Sequence, residues 1–216
     1  DKEAAEEIYN QETKTDKYED MLSTYLVKLS SYQVSDADNA EAAKLLRLIG
    51  EFERIADHSI NIVESAEELH DKDIAFTPAA ISELNRLTEA VSEILFIAKD
   101  TFVVNSVELA RKIEPLEEVI DELQAEVKKR HVKRLRKGKC TIELGFILSD
   151  ITTAFERISD HCSNIAVCIL QIHENVFDTH EYMDVMKAKD NVAFTQEVKQ
   201  YQLMYALPGK KSETEE

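Results

Sequence analysis

The sequence predicts an all-α protein of two tandem bundles built from long up-down helices, and three observations carry that prediction. First, apolar residues run Leu144, Leu148, Ile151, Phe155, Ile158, Cys162, Ile165, Ile169, in alternating steps of four and three as a bundle helix requires. Second, the 216 residues hold only 4 glycines, 3 prolines and no tryptophan, where an average chain has about 7% Gly and 5% Pro, so turns are few and segments long. Third, the stripe occurs twice, 103 residues apart: Leu45, Leu48, Phe52, Ile55, Ser59, Ile62 and Ala66 repeat it. Around it, Phe52-Glu53-Arg54-Ile55-Ala56-Asp57-His58-Ser59-Ile60-Asn61-Ile62 and Phe155-Glu156-Arg157-Ile158-Ser159-Asp160-His161-Cys162-Ser163-Asn164-Ile165 share 8 of 11 residues. The chain contains an internal duplication.

The helices follow in order. A periodic segment from about Lys2 to Ser30 precedes the first copy of the stripe. Thr77-Pro78 supplies an N-cap and a first-turn proline for a helix to about Val104, with Leu84, Leu87, Val91, Leu95 and Ala98 on one face. A segment from about Ser106 to Lys137 precedes the second copy, with Gly138 as its C-cap and Pro115 predicting a kink or a fresh start. A last helix is expected over about Asp190 to Leu207, and the run 210–216 reads as frayed. The second half thus shows three helices and the first only two. The missing member lies upstream of Asp1, or its place is taken by the tail helix or by a partner chain. The abrupt start at Asp1-Lys2-Glu3 reads as a piece cut from a longer chain. The expected organisation is 1–75 for a first repeat with two helices, 76–173 for a second repeat with three, and 174–216 for an extension with one helix and a frayed end.

Composition narrows function. With 26 Lys and Arg against 43 Asp and Glu, the net charge of −17 argues against nucleic-acid binding. Four dispersed glycines build neither a P-loop nor a dinucleotide fingerprint. Cys140, Cys162 and Cys168 have no metal or disulfide spacing and suit a reducing, cytosolic compartment. No apolar run approaches the roughly 20 residues that cross a bilayer, so the fragment is expected to be soluble.

Both copies carry Glu-x-x-x-Asp, as Glu53/Asp57 and Glu156/Asp160, which puts two carboxylates on one helical face. The preceding helices repeat it as Glu12/Asp16 and Glu117/Asp121, 41 and 39 residues earlier. Like charges at this spacing cost about 0.2–0.5 kcal/mol, so helix stability alone disfavours them. A hard cation reverses the sign. Antiparallel neighbours bringing two pairs together would offer four carboxylates, a donor set for iron, manganese, zinc or magnesium. The plainer reading is that these acids face solvent, pointing away from the stripe. His58 and His161 read as hydrogen-bonded structural histidines, Arg54 and Arg157 as i,i+3 partners orienting Asp57 and Asp160, Asn61 and Asn164 as supporting groups, and Cys162 and Cys168 as core fillers.

One segment is basic: Lys128, Lys129, Arg130, Lys133, Arg134, Arg136, Lys137 and Lys139. Cations at a helix C-terminus complement the macrodipole. They equally suit docking on an anionic lipid surface or an acidic partner.

The repeated Glu-Arg-Ile-(Ala/Ser)-Asp-His with its following Asn-Ile resembles the signature of the PhoU family of phosphate-transport regulators over about residues 1–173. That resemblance implies tandem three-helix bundles, the first truncated here, with multinuclear iron or zinc clusters on Glu12, Asp16, Glu53, Asp57, Glu117, Asp121, Glu156 and Asp160. More narrowly, Asp178-Thr179-His180-Glu181-Tyr182 and Tyr205-Ala206-Leu207-Pro208 are similar to the extension of PhoU-like domains fused behind bacterial sodium/phosphate cotransporter-like proteins. The resemblance implies a non-enzymatic regulatory domain at the cytoplasmic side of the inner membrane. Its partner would be a membrane transporter, in cis or in trans, with an anionic membrane surface and a second copy as further candidates. Alternatives from other classes are a carboxylate-bridged di-iron oxidase, for which only Glu67 and His70 offer Glu-x-x-His spacing, and a metal-free helical adaptor.

Overall fold

The computed structural model describes residues 1–32, 35–174 and 192–209. Six helices occur among them, α1 (Lys2–Ser30), α2 (Asp36–Asp71), α3 (Pro78–Val104), α4 (Val107–Arg136), α5 (Ile142–Glu174) and α6 (Val192–Met204), and no strand.

Local chemistry sets the ends. Ser35 opens α2 with a capping box, its side chain accepting from Asp38 N while the Asp38 carboxylate accepts from Ser35 N. Thr77 caps α3 by accepting from Ala80 N, with Pro78 in the first turn as expected. α4 ends in a Schellman turn: Gly138 takes φ +64°, its N–H reaches Leu135 O at 2.9 Å and the Lys139 N–H reaches Arg134 O at 3.0 Å. α4 is continuous through Pro115, so the fresh start predicted there does not occur. A proline inside a helix costs about 3 kcal/mol. Ile113, Leu116, Val119, Ile120, Leu123 and Val127, all buried on this helix, outweigh it.

The core lies between α3, α4 and α5 and includes Leu87, Val91 and Ile94 of α3, Ile113, Leu116 and Ile120 of α4, and Ile147, Leu148, Ile158 and Ile165 of α5. α2 packs on the other side of α5, so the duplicated helices lie against each other; α1 packs along α2 and α6 along α4.

The tail does not complete the first bundle, one of three routes open from sequence. It is fastened to the second bundle: Tyr205 Oη hydrogen-bonds to Glu93, Gln202 Nε2 donates to Glu122 at 2.7 Å, and Arg130 Nη1 donates to Pro208 O at 2.7 Å. Among the described residues, the face of α1 turned away from α2 stays largely exposed. Matching Glu12 to Glu117 aligns Ile8, Tyr18 and Leu22 with Ile113, Leu123 and Val127. The three α4 residues are buried, whereas Tyr18 is 64% and Leu22 46% exposed. Residues 178–182 and 210–216 lie outside the described residues.

Candidate functional site

The four acidic pairs sit on two antiparallel hairpins. On α2, Glu53 is half-buried and Asp57 exposed. The Glu53 pKa is raised, first by burial, then by the neighbouring Asp57 carboxylate, and further by Glu19 of α1. Glu12 of α1 and Asp57 of α2 line one shallow pocket with Tyr9, His58, Ile60 and Asn61. α1 and α2 run antiparallel, so Asp16, one turn beyond Glu12, stands level with Glu53, one turn before Asp57.

The second hairpin repeats this register. Ser163 Oγ donates to Glu114 Oε2 at 2.6 Å, tying α5 to α4. Three residues along α4 and three back along α5 put Glu117 level with Asp160, and a further turn puts Asp121 level with Glu156. The Asp160 pKa is raised, chiefly by burial and then by Glu156, with Glu114 adding and Arg157 opposing. Glu117 is buried, against the expectation that every pair faces outward, because α4 is covered by α3, α5 and α6 together.

Backbone register therefore offers four carboxylates at matching levels on each hairpin. Among the described residues, however, no three His, Cys, Asp or Glu side chains converge as a ligand set. The donors have the chemistry of a hard-cation site but do not close a cage. Burial first, and then the neighbouring carboxylates, raise the pKa of Glu53 and Asp160, so negative charge on these groups is disfavoured without a cation.

The groups beside the acids tie the two repeats together. The rings of His58 and His161 stack with centroids 5.4 Å apart across the α2–α5 contact. His161 Nδ1 lies 2.7 Å from Glu51 Oε2, and Asn164 Nδ2 donates to the same oxygen at 3.1 Å. Both repeated histidines thus behave as structural groups, His58 Nδ1 lying 3.2 Å from Asn61 Nδ2. Burial pushes the Glu51 carboxyl up, but the His161 and Asn164 hydrogen bonds and the Arg54 charge outweigh it, so its pKa is lowered. Arg157 pairs with Asp160 at 3.4 Å as expected, whereas Arg54 turns back to Glu51 at 3.7 Å rather than to Asp57. Cys162 and Cys168 are buried core residues, and burial pushes the Cys162 thiol up to about 12.

Glu51 and Glu114 escaped the sequence reading. The signal for Glu51 lay in the duplication itself, since its counterpart 103 residues on is Ala154. Glu114 had no such signal. Glu67 accepts from Tyr9 Oη at 3.1 Å, and both Glu67 and His70 are exposed.

The PhoU domain family matches residues 1–66 and 84–169, covering both hairpins and all eight acids. The chain belongs to the PhoU domain family. Its two matched segments coincide with α1–α2 and with most of α3 through α5. A relative from Thermotoga maritima, a phosphate-specific transport system accessory protein PhoU homolog, is 29% identical over 128 residues, 59% of this chain and 54% of the relative. The chain thus spans about half the length of that curated relative. In fold it is similar to PhoU from Pseudomonas aeruginosa, with a TM-score of 0.75 and 18% identity over 82% of this chain and 84% of that one. It is also similar to the phosphate transport system regulatory protein PhoU from Streptococcus pneumoniae, with a TM-score of 0.69 and 20% identity over 82% and 83% of the two chains.

Proposed function

We propose that this PhoU domain is a non-enzymatic regulator of phosphate uptake, acting on a membrane transporter from the cytoplasmic face. The observation that carries the reading is the family match over both halves of the chain, together with relatives named as an accessory and a regulatory protein of phosphate transport. The finer form of the proposal is that the transporter is a sodium/phosphate cotransporter, joined in cis or met in trans. The described helices suit such a part: none is long and apolar enough to cross a membrane.

Within the proposal, Glu12, Asp16, Glu53 and Asp57 form one cation-holding face, and Glu117, Asp121, Glu156 and Asp160 the other. Iron or zinc is the first choice, with manganese and magnesium as alternatives. A bound cation would supply the positive charge that like-charged side chains at matching levels lack, and the acids would turn inward to meet it. Arg157 and the Glu51–His161 bridge orient the helices that present them.

The test is phosphate uptake by cells that carry the candidate transporter and lack their own regulator of this type. Expression of the chain is expected to lower uptake in phosphate-rich medium. Equal uptake with and without it would overturn the regulatory reading. The metal-free adaptor is the second reading, and it is favoured by the lack of a converged ligand set among the described residues.

A further inference from the structure

The tip where α4 turns into α5 differs from the rest of this acidic chain. Of the eight basic residues from 128 to 139, four are occupied elsewhere. Arg130 Nη1 and Arg134 Nη1 meet the buried carboxylate of Glu83 at 3.3 and 2.8 Å, Lys128 Nζ donates to Thr153 Oγ1 at 3.3 Å, and Lys129 pairs with Glu126 at 3.4 Å. The other four, Lys133, Arg136, Lys137 and Lys139, are exposed and have no carboxylate partner among the described residues. Helix capping needs fewer charges, because the Schellman turn at Gly138 already satisfies the last carbonyls.

Bulky apolar side chains stand out at the same tip. Ile142 is 65% and Phe146 68% exposed, one turn apart on α5, and Val132 is exposed on α4. The Lys128–Thr153 bond shows which sides of the two helices share this face: Val132 follows Lys128 by one turn, and Phe146 precedes Thr153 by two. Lys129, Val132, Lys133 and Arg136 fall at i, i+3, i+4 and i+7, one exposed stripe. Glu143, the acid inside the tip, is paired with Lys72 at 2.7 Å, a lysine that also holds Glu68 at 2.7 Å.

From this juxtaposition we infer that the α4–α5 tip docks on an anionic lipid surface, with Lys133, Arg136, Lys137 and Lys139 against the headgroups and Ile142 and Phe146 inserted between them. Charge decides the class of partner, since four unpaired cations stand together in a chain of net charge −17. Shape decides between lipid and protein. The tip is a convex helical turn whose apolar groups protrude singly, which suits the headgroup and acyl boundary, whereas a peptide partner needs a groove. The inference deepens the membrane-side reading, but it is measured on the chain alone, so it stands or fails whatever the chain does to a transporter.

The experiment is flotation of the purified chain with vesicles of phosphatidylcholine and with vesicles of phosphatidylcholine and phosphatidylglycerol in equal parts. Binding is expected to the anionic vesicles, weakening as salt is raised. Lys133→Glu with Lys137→Glu is expected to weaken partitioning by at least about tenfold, since each basic residue contributes appreciably at such a surface. Ile142→Ser with Phe146→Ser is expected to remove the part of binding that survives high salt. All four positions are exposed, and unchanged helical circular dichroism separates lost docking from lost folding. No binding to anionic vesicles, equal binding to neutral ones, or reversal variants that bind as well as the parent would each overturn the inference.

Discussion

His161 Nδ1 stands 2.7 Å from the carboxylate of Glu51, a residue 110 positions earlier in the chain. This contact joins the second copy of the repeated motif to the first at the point where α2 crosses α5. The Glu51 side chain is only 4% exposed, so its charge is tolerated because His161, Asn164 and Arg54 surround it.

Glu51→Ala leaves His161 and Asn164 without their shared acceptor and is expected to cost about 1–3 kcal/mol in denaturant unfolding at neutral pH. The native pKa of Glu51 lies below its ordinary value, so its contribution is present above the unfolded carboxylate pKa and fades as pH falls through the lower native one. The stability gap between parent and variant is therefore expected to shrink below about pH 4. A gap that widens there would contradict the bridge.

Asp160→Asn is expected to do the opposite. The native pKa of Asp160 is raised, so the ionised group disfavours the fold at neutral pH. Its side chain is 34% exposed, and solvent screening keeps the effect to a few tenths of a kcal/mol, the size of a like-charge helical pair. Metal-free variant protein should melt slightly above the parent at neutral pH, with the advantage gone below about pH 4. Thermal melts in chelator across that range check it.

The exposed face of α1 predicts a contrast between repeats. Val127→Ala, at a fully buried position, is expected to cost at least about 1 kcal/mol, by losing two methyl groups and leaving a cavity. Leu22→Ala, at the matching place in α1, is expected to stay within about 0.5 kcal/mol. Equal losses in urea melts would mean that something covers α1 in solution.

Glu83 predicts the behaviour of the tail. It is buried and faces Arg130 and Arg134, and Arg130 also holds the Pro208 carbonyl. Glu83→Ala leaves the half-buried Arg134 guanidinium without its carboxylate, while Arg130 keeps Glu126 at 3.1 Å, and is expected to cost about 3 kcal/mol. Hydrogen exchange should show residues 192–209 opening first, because their anchor shares that arginine.

The long helices were legible because their chemistry is local. The 3.6-residue stripe, Thr77-Pro78 and the glycine at 138 each act within a turn or two, and α1 and α3 fall where the pattern puts them. Pro115 misled because its cost is local while the burial that outweighs it comes from three other helices. The pairing of acids along each helix was legible for the same reason as the stripe. The role of Glu51 was not, since its partners come from the other repeat, and the expected Arg54–Asp57 pair gave way to that buried carboxylate. The basic run could not be divided by sequence either: Arg130 and Arg134 point to Glu83, 47 and 51 residues upstream, while Lys133 and Lys137 between and beyond them stay exposed.

The eight acids are placed in register, and the proposal is that they hold cations. The direct measurement is elemental analysis of the chain purified without chelators, alongside Asp57→Ala and Asp160→Ala. The parent is expected to retain iron or zinc, each variant to lose the metal of its own hairpin, and the double variant to lose both. Identical metal content in the parent and all three variants, or a parent free of metal, would contradict the account and leave the helices as a metal-free scaffold.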